Sequence, residues 1–176
     1  MKKTLILIAV INLFSCTQKD ANSTKPAEKS MAQIVDALES SGKYPVLDRT
    51  DTLAGVDADK NGIRDDIDLY ISKQEYSEKQ KKAAQQKARV SHKVMTIDLK
   101  DKKAVAKLQD EFNRASACLF QMSYGQDGEI SGPSVAVEIA NLYANTKKRV
   151  KARMAFNHTF DGTTFSPDDY VDPCDD

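Results

Sequence analysis

The chain reads as a mostly α-helical protein, a small bundle of four to five helices interrupted by one acidic loop. Three observations carry that expectation. Apolar residues recur at intervals of three and four along several segments, no segment keeps a period of two, and helix-capping residues stand where the periodic runs begin. The composition suits a folded domain, since 176 residues are 40% apolar with 26 basic residues against 26 acidic ones. A chain of that kind buries enough surface to offset its conformational entropy. The same balance excludes a dedicated nucleic-acid binder, which would show a basic excess.

The elements follow in chain order. Met1, Lys2 and Lys3 make a short basic start, and residues 5–14 are an apolar run broken only by Asn12. About ten apolar residues are too few to cross a hydrocarbon core of ~30 Å as a helix, so residues 1–15 read as a signal peptide. Leu13, Phe14, Ser15 and Cys16 resemble the bacterial lipobox, with Leu three residues before a Cys and a small residue directly before it; Phe14 is bulkier than the usual pattern. The resemblance implies that Cys16 becomes the lipidated first residue. It also implies a location in the bacterial cell envelope, anchored to a membrane by lipid, at the outer membrane facing the periplasm. Each buried methylene of such an anchor adds about 0.8 kcal/mol. A plain signal peptide with an incidental cysteine is the alternative. Residues 16–29 hold Lys, Thr, Ser and Asn with one Pro and no large apolar side chain, which makes them a tether. Residues 30–176 are then the single helical domain.

Within it, Ser30 caps a helix whose Met31, Ile34, Val35 and Leu38 share one face, and Gly42 is placed to end it. Tyr44, Pro45, Val46 and Leu47 form an extended connector, because Pro disfavours the helical region for the residue before it. Ile63, Ile67, Tyr70 and Ile71 mark a second helix of roughly two turns. Ser77 with Gln80 is a capping box opening a helix over 78–95 that carries small Ala83, Ala84 and Ala88. Val105, Leu108, Phe112, Ala115, Leu119 and Met122 alternate steps of three and four on a helix beginning near Asp101. Pro133 and Ser134 open a last long helix, with Val135, Ile139, Leu142, Thr146 and Val150 expected on its inner face.

Between the first two helices lies the one segment with chemistry in it, residues 57–68. Asp57, Asp59 and Asn61 stand at positions 1, 3 and 5, Gly62 follows at 6, and Asp65 and Asp68 stand at 9 and 12. Oxygen ligands at alternate positions curl around a hard cation, the glycine permits the sharp turn, a carbonyl follows at 7, and an acid at 12 closes the shell. The candidate Ca2+ ligands are therefore the side chains of Asp57, Asp59, Asn61 and Asp68, the Ile63 carbonyl, and Asp65 directly or through water. Close carboxylates repel by roughly 1 kcal/mol per pair in water, and a divalent cation reverses that sign. A metal-free Asx-rich turn capping the following helix is the alternative.

The loop resembles those of EF-hands, dockerins and thrombospondin type 3 repeats over about a dozen residues. EF-hands and dockerins place an aliphatic residue at position 8 and pair two loops; here Arg64 stands at that position and there is no second copy, which argues against cohesin binding and sensor-like opening. The thrombospondin type 3 spacing, with acids at 9 and 12, fits better. More broadly, the run Asn61, Gly62, Ile63, Arg64, Asp65 and Asp66, then Asn145, Thr146 and Arg149, then Cys174 and Asp175, resembles a group of uncharacterised bacterial envelope lipoproteins across residues 50–176. That resemblance implies no activity.

With Cys16 assigned to lipid, Cys118 and Cys174 remain, an even number in a compartment that permits disulfides. A bridge between them would clip the acidic tail to the long helix and be worth ~4 kcal/mol on the chain-entropy model; a buried free thiol is the alternative. Neither His92 nor His158 sits in a nucleophile or zinc motif, and a Cys118/His158 pair would lose its thiol in an oxidising compartment. Two basic clusters, at 79–89 and 147–153, are solvated helix faces or contacts for an anionic partner, and Arg149 and Arg153, four apart on one helix face, are also placed to pair with acids inside the fold. The sequence therefore favours a noncatalytic envelope lipoprotein with a calcium-stabilised helical domain that binds a protein or an anionic envelope polymer. An envelope enzyme with a site built from the acidic loop or His158 is the second reading.

Overall fold

The structure is a computed structural model that describes residues 30–123 and 131–175. Cys16 and the tether up to residue 29 lie outside the described residues. Six helices occupy them: α1 Met31–Ser40, α2 Asp65–Lys73, α3 Glu78–Thr96, α4 Lys102–Ser123, α5 Gly132–Tyr143 and α6 Lys147–Asn157. Two single 3-10 turns follow, His158–Phe160 and Pro167–Asp169, and no strand occurs among the described residues. The protein is mostly α-helical, as the periodicity predicts. No described helix is long and apolar enough to cross a membrane.

Local chemistry places most helix starts. Ser30 Oγ accepts from the Gln33 amide at 3.3 Å while Gln33 Oε1 accepts from the Ser30 amide at 2.9 Å. Ser77 and Gln80 make the same reciprocal pair at 3.3 and 2.8 Å. Asp101 Oδ1 accepts from the amides of Lys103 and Ala104 at 3.1 and 3.0 Å and so opens α4. Each such cap satisfies amides that the helix leaves without partners, for ~1 kcal/mol. The second helix starts later than Ile63: Ile63 is buried just ahead of it, and Asp65, Asp66 and Asp68 fill the first turn of α2, where the helix dipole favours acids.

Helices α3, α4 and α5 pack on one another at the centre, with α2 against α3 and α5 and α6 against α3. Ala83, Ala84 and Ala88 of α3 and Ala115 of α4 are buried and let the backbones approach. Around them lie Ile67, Ile71, Ile139, Tyr143 and Phe156, all fully enclosed. Burying side chains of that size contributes ~1.5–3 kcal/mol each. Phe112, Phe156 and Phe160 join α4 to the end of α6, with ring centroids 5.4 to 6.0 Å apart.

The last long helix is two helices. The break falls at Ala144, Asn145 and Thr146, and Thr146 is the N-cap of α6, its hydroxyl accepting from the Arg149 amide at 3.3 Å. Thr146 therefore does not sit on an inner helix face, and Val150 is 40% exposed. The periodic count across 135–150 continues through the break because a bend of a few residues leaves spacing in sequence unchanged while it turns the second segment about its axis.

The C-terminal segment lies on the seam of α3 and α4. Cys174 meets Cys118 at disulfide distance, with Cα atoms 4.9 Å apart. Gln86 Nε2 and Arg114 Nε donate to the Pro173 carbonyl at 2.9 and 3.1 Å, and Arg89 pairs with Asp175 at 3.1 Å. The acidic tail thus meets the basic stretch of α3 and α4.

Candidate metal centre

The loop before α2 curls inward. Asp57 accepts from the amides of Asn61 and Gly62 at 3.1 and 3.0 Å, and Asp59 Oδ1 accepts from Asn61 N at 3.2 Å. Asp65 Oδ1 reaches back to the Ala58 amide at 2.9 Å, and the Asp65 amide donates to the Val56 carbonyl at 2.9 Å. Gly62 has φ +82°, the left-handed turn that its position requires. Oxygens of Asp57, Asp59 and Asp65 consequently lie within 4.8 Å of one another. None of the three pairs with a Lys or Arg among the described residues.

The remaining expected ligands stand nearby in different states. Asn61 Oδ1 accepts from the Ile63 amide at 2.8 Å, and its Nδ2 donates to Asp59 Oδ2 and Asp68 Oδ2 at 3.0 and 3.3 Å. An amide nitrogen thus bridges two carboxylates. Asp68 also accepts from Gln85 Nε2 of α3 at 3.2 Å and is not part of the three-carboxylate group. Ile63 turns its side chain into the core.

Beneath the loop is a buried polar network. Arg64 is fully enclosed and holds Asp66 with two bonds, Nε to Oδ1 at 2.6 Å and a terminal nitrogen to Oδ2 at 2.9 Å. It also donates to the Leu142 carbonyl at 2.9 Å and to Asn145 Oδ1 at 3.3 Å, and it faces the Tyr143 ring at 5.3 Å. Arg149, equally enclosed, bonds the Asp48 carbonyl, the Thr52 carbonyl at 3.1 Å and Asn145 Oδ1 at 2.8 Å, and pairs with the Asp48 carboxylate at 3.4 Å. Asp66 closes the circuit by accepting from the Asp48 amide at 2.8 Å. Burial acts to raise the Asp48 pKa. Bonds from the Thr50 hydroxyl and amide, the Val56 amide and the Arg149 charge outweigh it and hold that carboxyl well below the usual range. Two arginines and two aspartates leave the network neutral, the condition under which buried charge is tolerated.

Gly55 completes this base. Its φ is +80°, and a Cβ there would meet Arg64 Cδ at 2.2 Å and Asp48 Oδ2 at 2.8 Å. The segment 48–56 is therefore wrapped around the Arg64 stem.

No family model, curated protein or solved structure matches the chain. The structure brings together Asp57, Asp59 and Asp65 of the expected set, links Asn61 and Asp68 to them by hydrogen bonds, and adds a base that motif spacing did not foresee, Asp48, Gly55, Asp66 and the roles of Arg64 and Asn145, to which Arg149 contributes by pairing with an acid inside the fold. The signal for that base was Arg64 itself, a charged residue set between Ile63 and Ile67 on the expected apolar face of the second helix. His92 is half-buried against the Tyr143 ring; burial lowers its pKa, with Asp57 opposing and Arg64 assisting. His158 is exposed at the end of α6 and contacts Asp161 at 3.2 Å, not an acid of the loop.

Proposed function

We propose that the chain is a noncatalytic envelope lipoprotein, anchored through Cys16, whose helical domain is braced by one Ca2+ in the 57–68 loop and by a Cys118–Cys174 disulfide. In this reading the braced domain presents a fixed surface to a protein or anionic polymer of the envelope. The observation that carries it is the trio Asp57, Asp59 and Asp65, gathered within 4.8 Å with no basic partner among the described residues. Three carboxylates so placed repel one another, and a divalent cation converts that cost into attraction. Asn61, Asp68 and the Ile63 carbonyl would complete an oxygen shell of the kind Ca2+ takes. So many protein ligands suit a structural ion rather than one that activates water. Asp65 and Asp68 belong to α2, so the ion would tie the loop to that helix.

A thermal melt of the purified chain tests both braces. Calcium should raise the melting temperature and EDTA lower it, with a shift worth ~2.7 kcal/mol at a hundredfold excess over Kd. Asp57→Asn combined with Asp59→Asn should erase the response. Reductant should lower the melting temperature independently, by an amount corresponding to ~2–4 kcal/mol. A melting curve indifferent to calcium and chelator would discard the metal; one indifferent to reductant would discard the clip.

A further inference from the structure

A cleft of about 720 Å³ runs between α1 and the elbow joining α5 to α6. Its wall is largely apolar, with Ile34, Leu38, Val150 and Met154 among the side chains along it. Ile34, Val150 and Met154 are 40 to 55% exposed, so the apolar surface is open to solvent. The volume falls in the range that takes small organic ligands, ~300–1,000 Å³.

The part of the cleft around Arg153 carries uncompensated positive charge. Arg153 lines it and gives one donor to Asn141 Oδ1 at 3.0 Å, with no carboxylate partner among the described residues. Arg153 and Asn157 also line a small cavity beside the cleft, together with Ser91, whose enclosed hydroxyl has no hydrogen-bond partner. Behind them stands a second cation. Lys87 is buried, donates to Ser116 Oγ at 2.8 Å and rests 3.1 Å from the Phe112 ring centroid, again with no described carboxylate, and Arg153 repels it. Arg49, which also lines the cleft, is already satisfied by Glu39 at 2.8 Å. An anion at Arg153 would relieve the repulsion and find donors waiting.

We propose that this cleft binds a long-chain carboxylic acid, its carboxylate held by Arg153 and Asn157 and its acyl chain laid along the apolar wall. A single guanidinium fork matches one planar carboxylate in charge and shape. The doubly charged, three-oxygen head of a phosphate monoester asks for more donors than this part of the cleft supplies.

Titration of the purified full chain with palmitate and with methyl palmitate tests the assignment by holding the tail constant and removing the charge. Palmitate should bind saturably at one site, and the ester should bind about tenfold more weakly or less. Arg153→Met should bring palmitate down to the level of the ester and leave the ester unchanged. Val150→Trp, at an exposed position, should weaken both by filling the cleft. From decanoate to palmitate, affinity should climb by up to about fourfold per methylene. If Arg153→Met fails to fold, Asn157→Leu at the exposed end of α6 supplies the contrast, with a several-fold loss for the acid alone. Equal binding of acid and ester would overturn the proposal in favour of a neutral chain such as one attached at Cys16. Absence of saturable binding, or a self-associated chain that buries the cleft, would overturn it as well.

Discussion

Arg64 is the residue around which the site is organised, and its surroundings explain how a charged side chain is held in the interior beside the loop. It is fully enclosed, and its partners Tyr143, Asn145 and Leu142 lie about eighty positions downstream. Spacing within the loop picks out the acids and the amide at positions 1, 3 and 5 as candidate ligands, since those depend on neighbours in sequence. It is silent about a guanidinium whose charge is balanced by Asp66 and whose remaining donors are met by the Leu142 carbonyl and by Asn145 in the elbow. Removing either member of such a buried pair leaves the other charge unpaired, which costs about 3–5 kcal/mol. Gly55 tests the arrangement without touching a charge. Gly55→Ala puts a methyl against the Arg64 stem and Asp48 at a backbone angle that favours glycine, so it should destabilise the fold by ~2–4 kcal/mol. Gly42→Ala, with the same sign of φ and nothing within 4 Å, should cost only ~1 kcal/mol. Chemical denaturation of the two variants measures the difference, and equal losses would mean that the Arg64 stem gives way.

At the scale of elements, five of the six helices are legible from apolar spacing, and most of their starts from local caps, the start of α2 excepted. Reciprocal Ser and Gln pairs, an Asp directly ahead of a helix, and alternating steps of three and four all act within one or two turns. The division between α5 and α6 is not legible by that route, because what breaks the helix is tertiary. Asn145 Nδ2 donates to the Asp48 carbonyl at 2.8 Å, and its Oδ1 accepts from both Arg64 and Arg149. The elbow is thus pinned to the loop before α2, and Thr146 then starts a new helix. Two substitutions separate the pin from the cap. Asn145→Ala strips partners from two buried guanidinium groups and a carbonyl, so it should cost ~2–4 kcal/mol. Thr146→Ala removes only the cap and should cost ~1 kcal/mol. Equilibrium unfolding of both variants gives the ranking, and a costlier Thr146→Ala would show that the cap, not the network, holds the elbow.

For the whole molecule, equal numbers of acids and bases conceal an uneven arrangement. The acids gather in the loop and the tail, the tail lies on basic α3 and α4, and the buried network balances itself. Lys87 stands apart from that balance. Burial, reinforced by Arg153, pulls its pKa down to about 7, while the Ser116 hydroxyl and the Phe112 face offer a proton-bearing amine partial compensation. Its ordinary value in the unfolded chain is ~10.4. Between those two values the unfolded state holds the proton more tightly than the folded state, so this group makes stability rise with pH. The cost of keeping a cation inside is complete below about 7 and fades as the pH climbs toward the ordinary lysine range. Lys87→Met fills the same space without a charge. The variant should therefore exceed the wild type in stability at neutral pH, and the gap should close steadily toward pH ~10.4. Every other ionisable group is common to both proteins and cancels in the difference. Paired urea unfolding curves at several pH values read that difference directly. A gap constant across the range would mean that Lys87 keeps its proton in the folded protein as firmly as in the unfolded one.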